Sequence, residues 1–160
     1  MVASPNPSEA AIHAWARLVR VSGALLDAVE AELNAAGFPP LVWYDALLEL
    51  GRAPDGRLRP FELERHMLLP QYSTSRLVDR LDKAGLVERV GCPDDRRGQH
   101  VSITDAGRAL RERMWPAYAA AIQRHMGSKI GCTDAQKLAE LLGRLSARGC
   151  DGALCEGVKG

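Results

Sequence analysis

The spacing of apolar residues predicts one long helix at the start of the chain, capped by Ser8 at its beginning and Gly37 at its end. A three-four rhythm places one set of positions on one side of this helix: Ile12, Trp15, Val19, Ser22, Leu26, Val29 and Leu33. A second stripe lies on another side: Leu18, Val21, Leu25 and Ala28. Two apolar sides on one helix need more than one packing partner, so we interpret this helix as part of a subunit interface shared with the C-terminal helices.

A second helix is expected to follow Pro39 and Pro40 and to end near Gly51. Its apolar side consists of Leu41, Tyr44, Leu47 and Leu48. Turn residues then lead into a short extended piece, 57–59, which can pair with the edge of a later sheet.

Pro60 is expected to begin a short third helix. The residues expected on its buried side are Leu63, Met67 and Phe61. The dipeptide at 69–70, Leu-Pro, predicts a turn into a fourth helix, 71–83.

The fourth helix has two distinct sides. Leu77, Val78 and Leu81 are apolar at helical spacing and predict contact with the rest of the domain. The opposite side carries only hydroxyl and cationic groups: Ser73, Arg76, Arg80 and Lys83. Such a surface suits the major groove of DNA.

Gly85 ends this helix, and alternation then predicts a strand over 86–90. The segment 91–99 has turn composition, and 100–103 is expected to be the return strand. A helix, a turn, a second helix and a hairpin in this order form a winged helix-turn-helix, which indicates DNA binding. The fold class expected is mainly α with a small β wing.

The rest of the chain is expected to be helical. Thr104 caps a long helix that reaches about His125, with Pro116 expected to bend it. Its apolar side consists of Leu110, Met114, Ala117, Ala121 and Ile122. Thr133 is expected to cap a last helix, ended by Gly149 and lined by Leu138, Leu141, Leu142 and Leu145. Residues 1–7 are expected to be a flexible arm and 149–160 a flexible tail.

Composition narrows the function classes only slightly. The chain has 160 residues, 46% hydrophobic and 26% charged, with a net charge of +1, so nucleic-acid binding has to rest on local cation placement. No apolar run approaches a membrane span and no signal peptide is apparent, so we expect a cytoplasmic protein without a membrane partner. No catalytic triad, phosphate loop or metal-ligand spacing occurs, so we expect neither an enzyme nor a cofactor.

Three segments together resemble the MarR family of transcriptional regulators: STSRLVDRLDKAGLVERV, DDRRGQHVSIT and TDAGRAL. The resemblance covers nearly the whole chain and implies a single domain, 8–148. Within it, 8–36 and 104–148 would form dimerisation helices and 40–103 the winged module. It further implies a homodimeric repressor that binds a pseudo-palindromic double-stranded operator and is released by a small aromatic or phenolic effector. Cys92, Gln99 and His100 depart from the aliphatic residues common at these positions in the family.

The resemblance also implies roles for individual residues. Those expected to contact DNA are Ser73, Thr74, Ser75, Arg76, Arg80, Lys83, Arg96, Arg97 and Gln99. Arg76 suits guanine, with pairing to Asp79 as the alternative, and Arg80 and Lys83 suit phosphate. Arg97 would enter the minor groove, whereas Arg96 would pair with Asp95 or Asp79.

An effector site is expected between the dimer helices and the winged module. Its candidate residues are Trp15, Trp43, Tyr44, Met67, Trp115 and Tyr118, for which core packing is the alternative. Candidate anchors for a carboxylate are His13, Arg17 and Arg20.

The cysteines suggest a second mode of regulation, in which oxidation of Cys92 switches DNA binding; an incidental thiol is the alternative. Cys132, Cys150 and Cys155 are expected to be free thiols. No metal site is expected, since their spacing to one another and to His125 is irregular.

Overall fold

The structure, a computed structural model, describes residues 6–68, 73–92 and 95–145, except for the side chains at 92 and 95–97. Several expectations therefore lie outside the described residues: most of the arm 1–7, the turn at 69–70, residues 71–72, Gly149 and the tail 149–160. The fourth helix begins at Thr74, because the backbone of Ser73 is extended, so its expected start at 71 is wrong. The fold class is confirmed, because the chain is mostly helical with one small antiparallel sheet.

The chain divides into two units, Met1–Ala121 and Ile122–Gly160. The first contains α1 (Glu9–Ala35), α2 (Leu41–Arg52), β1 (Arg57–Leu58), α3 (Pro60–His66), α4 (Thr74–Lys83), β2 (Val87–Cys92), β3 (Asp95–Ile103) and nearly all of α5 (Asp105–Ile122). The second contains a π-helical turn (Gln123–Gly127) and α6 (Cys132–Leu145).

The ends of α1 and α4 follow from glycines with positive φ. Gly37 (φ 78°) follows α1, and the amide of Phe38 donates back to the carbonyl of Leu33 at 3.0 Å. Gly85 (φ 71°) ends α4 in the same way, with the amide of Leu86 bonded to the carbonyl of Leu81 at 2.9 Å. Both are Schellman caps, which need the left-handed conformation that glycine adopts without strain.

The start of α1 is capped by Ser8, whose hydroxyl oxygen accepts a hydrogen bond from the amide of Ala11 at 3.2 Å. The start of α2 is capped from a distance, because the Glu30 carboxylate on α1 accepts from the amide of Leu41 at 3.0 Å. Each contact satisfies one of the amides that a helix start leaves without a partner. The first cap is local in sequence, whereas the second depends on tertiary packing.

The core of the first unit draws on each of its helices. Its fully buried large side chains are Leu33, Leu47, Leu50, Leu63, Val78, Leu81, Val87, Val101 and Met114. Phe61 is 53% exposed, so its predicted place on the buried side of α3 is wrong. Ile122, expected on the apolar side of α5, is also exposed.

The sheet has the strand order β1-β3-β2, with both pairings antiparallel. The predicted pairing of the short extended piece is confirmed, since Arg57 lies opposite Ser102. The hairpin is longer than expected, because β2 continues to Cys92 and β3 begins at Asp95, inside the predicted turn. A register shift between Gly91 and Cys92 accommodates this extension.

Helix boundaries near the C-terminus differ from the prediction. The helical path continues beyond α5 as the π-helical turn to Gly127, past His125. α6 begins at Cys132, so Thr133 lies inside its first turn and is not its cap. The described leucines of α6 are exposed: Leu138, Leu141, Leu142 and Leu145.

A tight junction joins the end of α4 to the start of α5. The Thr104 hydroxyl donates to the carbonyl of Gly85 at 2.7 Å and accepts from the amide of Gly107 at 3.1 Å, as expected of a cap. A Cβ on Gly107 would lie 2.2 Å from the carbonyl oxygen of Leu86. The backbone itself therefore occupies the space that a larger residue would need.

We expect Gly107→Ala to lower the free energy of unfolding by about 1–3 kcal/mol, because backbone has to move to admit the methyl group. Urea unfolding at a fixed protein concentration measures this effect. Gly23→Ala in α1 is the matched control, since nothing lies within 4 Å of its added Cβ; it should raise stability by about 0.5–1 kcal/mol. Equal stability of the two variants would contradict the role of this junction.

Candidate nucleic-acid interface

The first turn of α4 is organised by Ser73. Its hydroxyl oxygen accepts a hydrogen bond from the amide of Arg76 at 3.3 Å, which leaves the hydroxyl proton available to another acceptor. The first turn contains no acidic residue. The helix dipole and free amides therefore favour an anion here, such as a phosphate.

The predicted apolar side of α4 is confirmed, since Leu77, Val78 and Leu81 are all buried. Their packing fixes the rotation of the helix about its axis. Ser75, Arg76, Arg80 and Lys83 are exposed as a result, and Ser73 is half-buried.

Thr74 corrects one expectation about this helix. Its side chain is 7% exposed, so its hydroxyl does not share the solvent-facing surface with Ser75 and Arg76. The Thr74 hydroxyl has no hydrogen-bond partner among the described residues. The physical reason is its position: together with Leu77, Val78 and Leu81 it completes the i, i+3, i+4, i+7 set on the buried side.

The cations of α4 are free to meet another molecule. Arg76, Arg80 and Lys83 make no ion pair with any described residue. Asp79, the expected alternative partner of Arg76, instead accepts a hydrogen bond from Arg89 on β2. Its expected pairing with Arg96 stays a prediction, because the side chain of Arg96 is outside the described residues. The alternative in which Arg76 is neutralised by Asp79 is therefore wrong for this structure.

Arg89 has two further contacts. Its Nε lies 3.9 Å from a carboxylate oxygen of Asp82, also on α4. Its guanidinium donates to the Gln99 side-chain oxygen on β3 at 3.4 Å. One side chain thus connects α4 to both strands of the hairpin, a connection that sequence spacing did not indicate.

Of the wing residues expected to contact DNA, only Gln99 has a described side chain. Gln99 is exposed on β3 and held by Arg89. The side chains of Cys92, Asp95, Arg96 and Arg97 are outside the described residues, so the roles expected of the wing arginines and of Cys92 remain predictions.

Three of the predicted effector residues form an aromatic group. Tyr44 and Tyr118 meet edge to face with ring centroids 5.1 Å apart, and Trp115 lies 6.0 Å from Tyr118 and 6.3 Å from Tyr44. Burial raises the pKa of both tyrosines; Asp45 adds to the effect at Tyr118, whereas Arg111 and Arg52 oppose it at Tyr44. Both phenols therefore stay protonated and can donate hydrogen bonds at neutral pH.

The other three predicted effector residues are placed differently. Trp43 and Met67 are half-buried and pack against the core. The alternative interpretation, core packing, is confirmed for these two, and also for Tyr44, which is buried in the core, and Tyr118, which packs against it. Trp15 is 69% exposed on α1. His13, Arg17 and Arg20 are exposed too, and His13 lies 3.7 Å from Glu9. A depression of about 200 Å³ at the α1–α2 turn is lined by other residues: Glu30, Asn34, Phe38, Pro39 and Pro40.

Two buried or half-buried carboxylates of α2, one of them beside the aromatic group, were not anticipated. Asp45 is 5% exposed on α2, next to Tyr44 in sequence. Burial raises the pKa of Glu49, one turn further on, although its ion pair with Arg52 at 3.4 Å opposes the shift. Asp45 falls at helical spacing with Leu41 and Leu48, which is the signal that would have placed it on the buried side.

The described residues contain neither a group of metal ligands nor a membrane-spanning helix. Within residues 6–68, 73–92 and 95–145, no three His, Cys, Asp or Glu side chains are grouped as metal ligands. Cys132 is an exposed free thiol, and Cys150 and Cys155 lie outside the described residues. No helix in those ranges has the length and apolar character needed to cross a membrane.

Curated proteins similar to this chain are transcriptional regulators. The chain is 28% identical over 96 residues to the HTH-type transcriptional regulator PrsX of Escherichia coli and 29% identical over 118 residues to the transcriptional repressor MprA of Escherichia coli K12. These segments cover 60% and 71% of this chain. They span 57% of the length of PrsX and 66% of that of MprA.

The fold has a solved counterpart with bound DNA. The crystal structure of Sco3205, a MarR family transcriptional regulator from Streptomyces coelicolor in complex with DNA, matches with a TM-score of 0.79 and 27% identity. The match covers 89% of this chain and 90% of that one. A family model described as MarR family matches residues 36–98, from the residue after α1 into β3. Sequence and fold agree, and the chain is similar to the MarR family of transcriptional regulators.

Proposed function

We propose that this protein is a homodimeric repressor that binds a pseudo-palindromic DNA operator and is released from it by a small aromatic molecule. The observation that carries the proposal is the exposed side of α4. There Arg76, Arg80 and Lys83 lie free of ion pairs with the described residues, beside hydroxyl groups and a helix start that favours anions.

The dimensions and residue types of α4 suit the major groove. Its 10 residues span about 15 Å, and a helix fits a groove about 12 Å wide. Arg76, near the start, is suited to a two-pronged contact with guanine, because bases are read mainly from the N-terminal part of such a helix. Arg80 and Lys83, further along, are suited to phosphates. Arg97 on the wing is proposed for the minor groove by its match to the family pattern.

Dimerisation is supported by apolar surface that a monomer leaves in water. On α1 the exposed apolar side chains are Ile12, Trp15, Leu18, Val19, Val21 and Leu26. α6 separately exposes its leucines. Apolar side chains that are exposed together on a soluble protein mark an interaction surface. A second copy, covering α1 of the first, would also supply the symmetry that a pseudo-palindromic operator needs.

Repression and ligand control rest on two further observations. One of the similar regulators, MprA, is a transcriptional repressor. Trp115 and Tyr118 stay partly exposed beside the buried ring of Tyr44, and they offer apolar ring surface with one accessible protonated phenol, which suits a small aromatic ligand that accepts hydrogen bonds. Such a ligand would act by favouring a dimer whose two α4 helices no longer match successive major grooves.

In vitro selection from a pool of random-sequence duplexes tests the DNA-binding proposal. We expect enrichment of an inverted repeat whose half-site centres lie about 10 base pairs apart, or a multiple of that distance. Binding to the selected duplex should weaken steeply with salt, as counterion release requires. Failure to enrich any sequence would contradict sequence-specific recognition. Adding small aromatic acids and phenols to the selected complex then tests release.

A further inference from the structure

The side chain of Arg89 contacts both α4 and β3. It lies on β2, donates to Asp79 of α4, approaches Asp82 of α4 at 3.9 Å and donates to Gln99 of β3 at 3.4 Å. α4 and the hairpin are the two elements that a winged module presents to DNA. The guanidinium group therefore joins the two reading elements to each other.

The hydrogen bond from Arg89 holds the Asp79 carboxylate away from the cations of α4. Asp79 is three residues from Arg76 and four from Lys83, and both spacings allow pairing on a helix. In the structure Arg89 takes the Asp79 carboxylate, and Arg76 and Lys83 have no ion-pair partner among the described residues. Without Arg89, Asp79 would be available to neutralise Arg76 at the surface proposed to meet DNA.

The exposure of this group argues against a mainly stabilising role. Arg89 is about one-third exposed, and the two carboxylates are about half exposed. Ion pairs at such positions contribute little to stability, since water screens them and ordering long side chains costs entropy. Planar guanidinium geometry does, however, fix the relative direction of the groups it binds. Orientation is thus the larger consequence of the contact.

We propose that Arg89 is a positioning residue for operator recognition. It sets the angle between α4 and the hairpin and withholds Asp79 from Arg76, so that Arg76 reaches bases while the wing reaches the adjacent groove. This role rests on the proposed function of DNA binding. Its signature is a loss of sequence discrimination, whereas the loss of a phosphate contact weakens binding to all DNA alike.

The test compares Arg89→Gln, Asp79→Asn and the double variant on two duplexes, the selected operator and a scrambled sequence of equal length, over a range of salt. We expect Arg89→Gln to weaken operator binding about tenfold, the scale of one lost base contact, with scrambled-duplex affinity and salt slope nearly unchanged. The double variant should be no worse than Arg89→Gln alone, because both changes break the same contact. Arg89→Lys should recover only part of the loss.

Two control variants separate positioning from other roles. Arg80→Gln removes the same charge from the proposed phosphate-binding side, so both duplexes should weaken and the salt slope should fall by about 1. Arg52→Gln breaks an ion pair at 3.4 Å with Glu49 on α2 and should leave DNA binding unchanged. The unfolding temperature of each variant shows whether the fold is retained.

Four possible results would overturn or separate the proposed roles. Arg89→Gln behaving like Arg80→Gln would make Arg89 a phosphate contact and overturn the positioning role. Additive effects of the Arg89 and Asp79 substitutions would overturn it too. If Arg76→Ala abolishes operator discrimination while Arg89→Gln leaves it intact, DNA binding stands and only the positioning role fails. A wild-type protein that prefers no duplex and shows no salt-dependent affinity would overturn both.

Discussion

Val19→Glu is expected to convert the protein to a monomer and to abolish tight operator binding. Val19 is 50% exposed at the middle of the α1 apolar stripe, so the substitution removes little packing from the first unit itself. In the proposed dimer it would bury a carboxylate without a partner, twice by symmetry. Because each buried unpaired charge costs several kcal/mol, the dimer should weaken by about a thousandfold or more.

Operator binding should follow the loss of the dimer. A monomer engages one half-site, and losing the linked second contact lowers affinity by about a hundredfold or more. Analytical ultracentrifugation measures the assembly, and a mobility-shift titration on the selected duplex measures the affinity. Ala24→Glu is the matched control, since Ala24 is exposed on α1 about 140° around the helix from Val19, outside both apolar stripes. A Val19→Glu protein that remains dimeric would place the interface elsewhere.

Arg76→Ala is expected to lower operator affinity by about a hundredfold. A two-pronged arginine–guanine contact discriminates by about 1–3 kcal/mol, and a dimer loses two of them. The substitution leaves the fold intact, because Arg76 is exposed and contributes only its backbone amide to the Ser73 cap. Its effect should be smaller on a scrambled duplex, where no base is read.

The measurement is a mobility-shift titration of Arg76→Ala on both duplexes, with Arg113→Ala as the control. Arg113 is an exposed arginine of α5, so the control removes an equal charge outside α4. A fall that is equal on the two duplexes would assign Arg76 to phosphate. No fall on either would remove it from the interface.

Much of the fold could be predicted because its determinants are local. Ser8 and Thr104 cap their helices through amides three residues away, and Gly37 and Gly85 end theirs through the left-handed conformation. Leu77, Val78 and Leu81 lie on the buried side because helical spacing alone puts them there. In each case the interacting groups are close in sequence.

Expectations of burial drawn from the sequence were wrong or missing where the polarity of a residue disagreed with its position in the helical spacing. Thr74 shares the buried side of α4 by spacing, but its hydroxyl suggested a solvent-facing role alongside Ser73 and Ser75. Asp45 likewise follows the apolar spacing of α2 although carboxylates are seldom buried. Phe61 shows the converse, an aromatic residue left exposed on a short helix. Spacing was the better guide for the two polar residues.

By itself, the sequence determined the order of helices and strands, the Ser8 and Thr104 caps, the glycine ends of α1 and α4 and the side of α4 that faces the core, since these depend on contacts within one or two turns. Only the tertiary structure decided which cation Asp79 binds, because Arg76, Lys83 and Arg89 are all plausible partners and the choice depends on how β2 packs against α4. It also decided that Tyr44, Trp115 and Tyr118 meet, although α2 and α5 are far apart in the chain. Long-range contacts of this kind depend on packing, which local spacing does not specify.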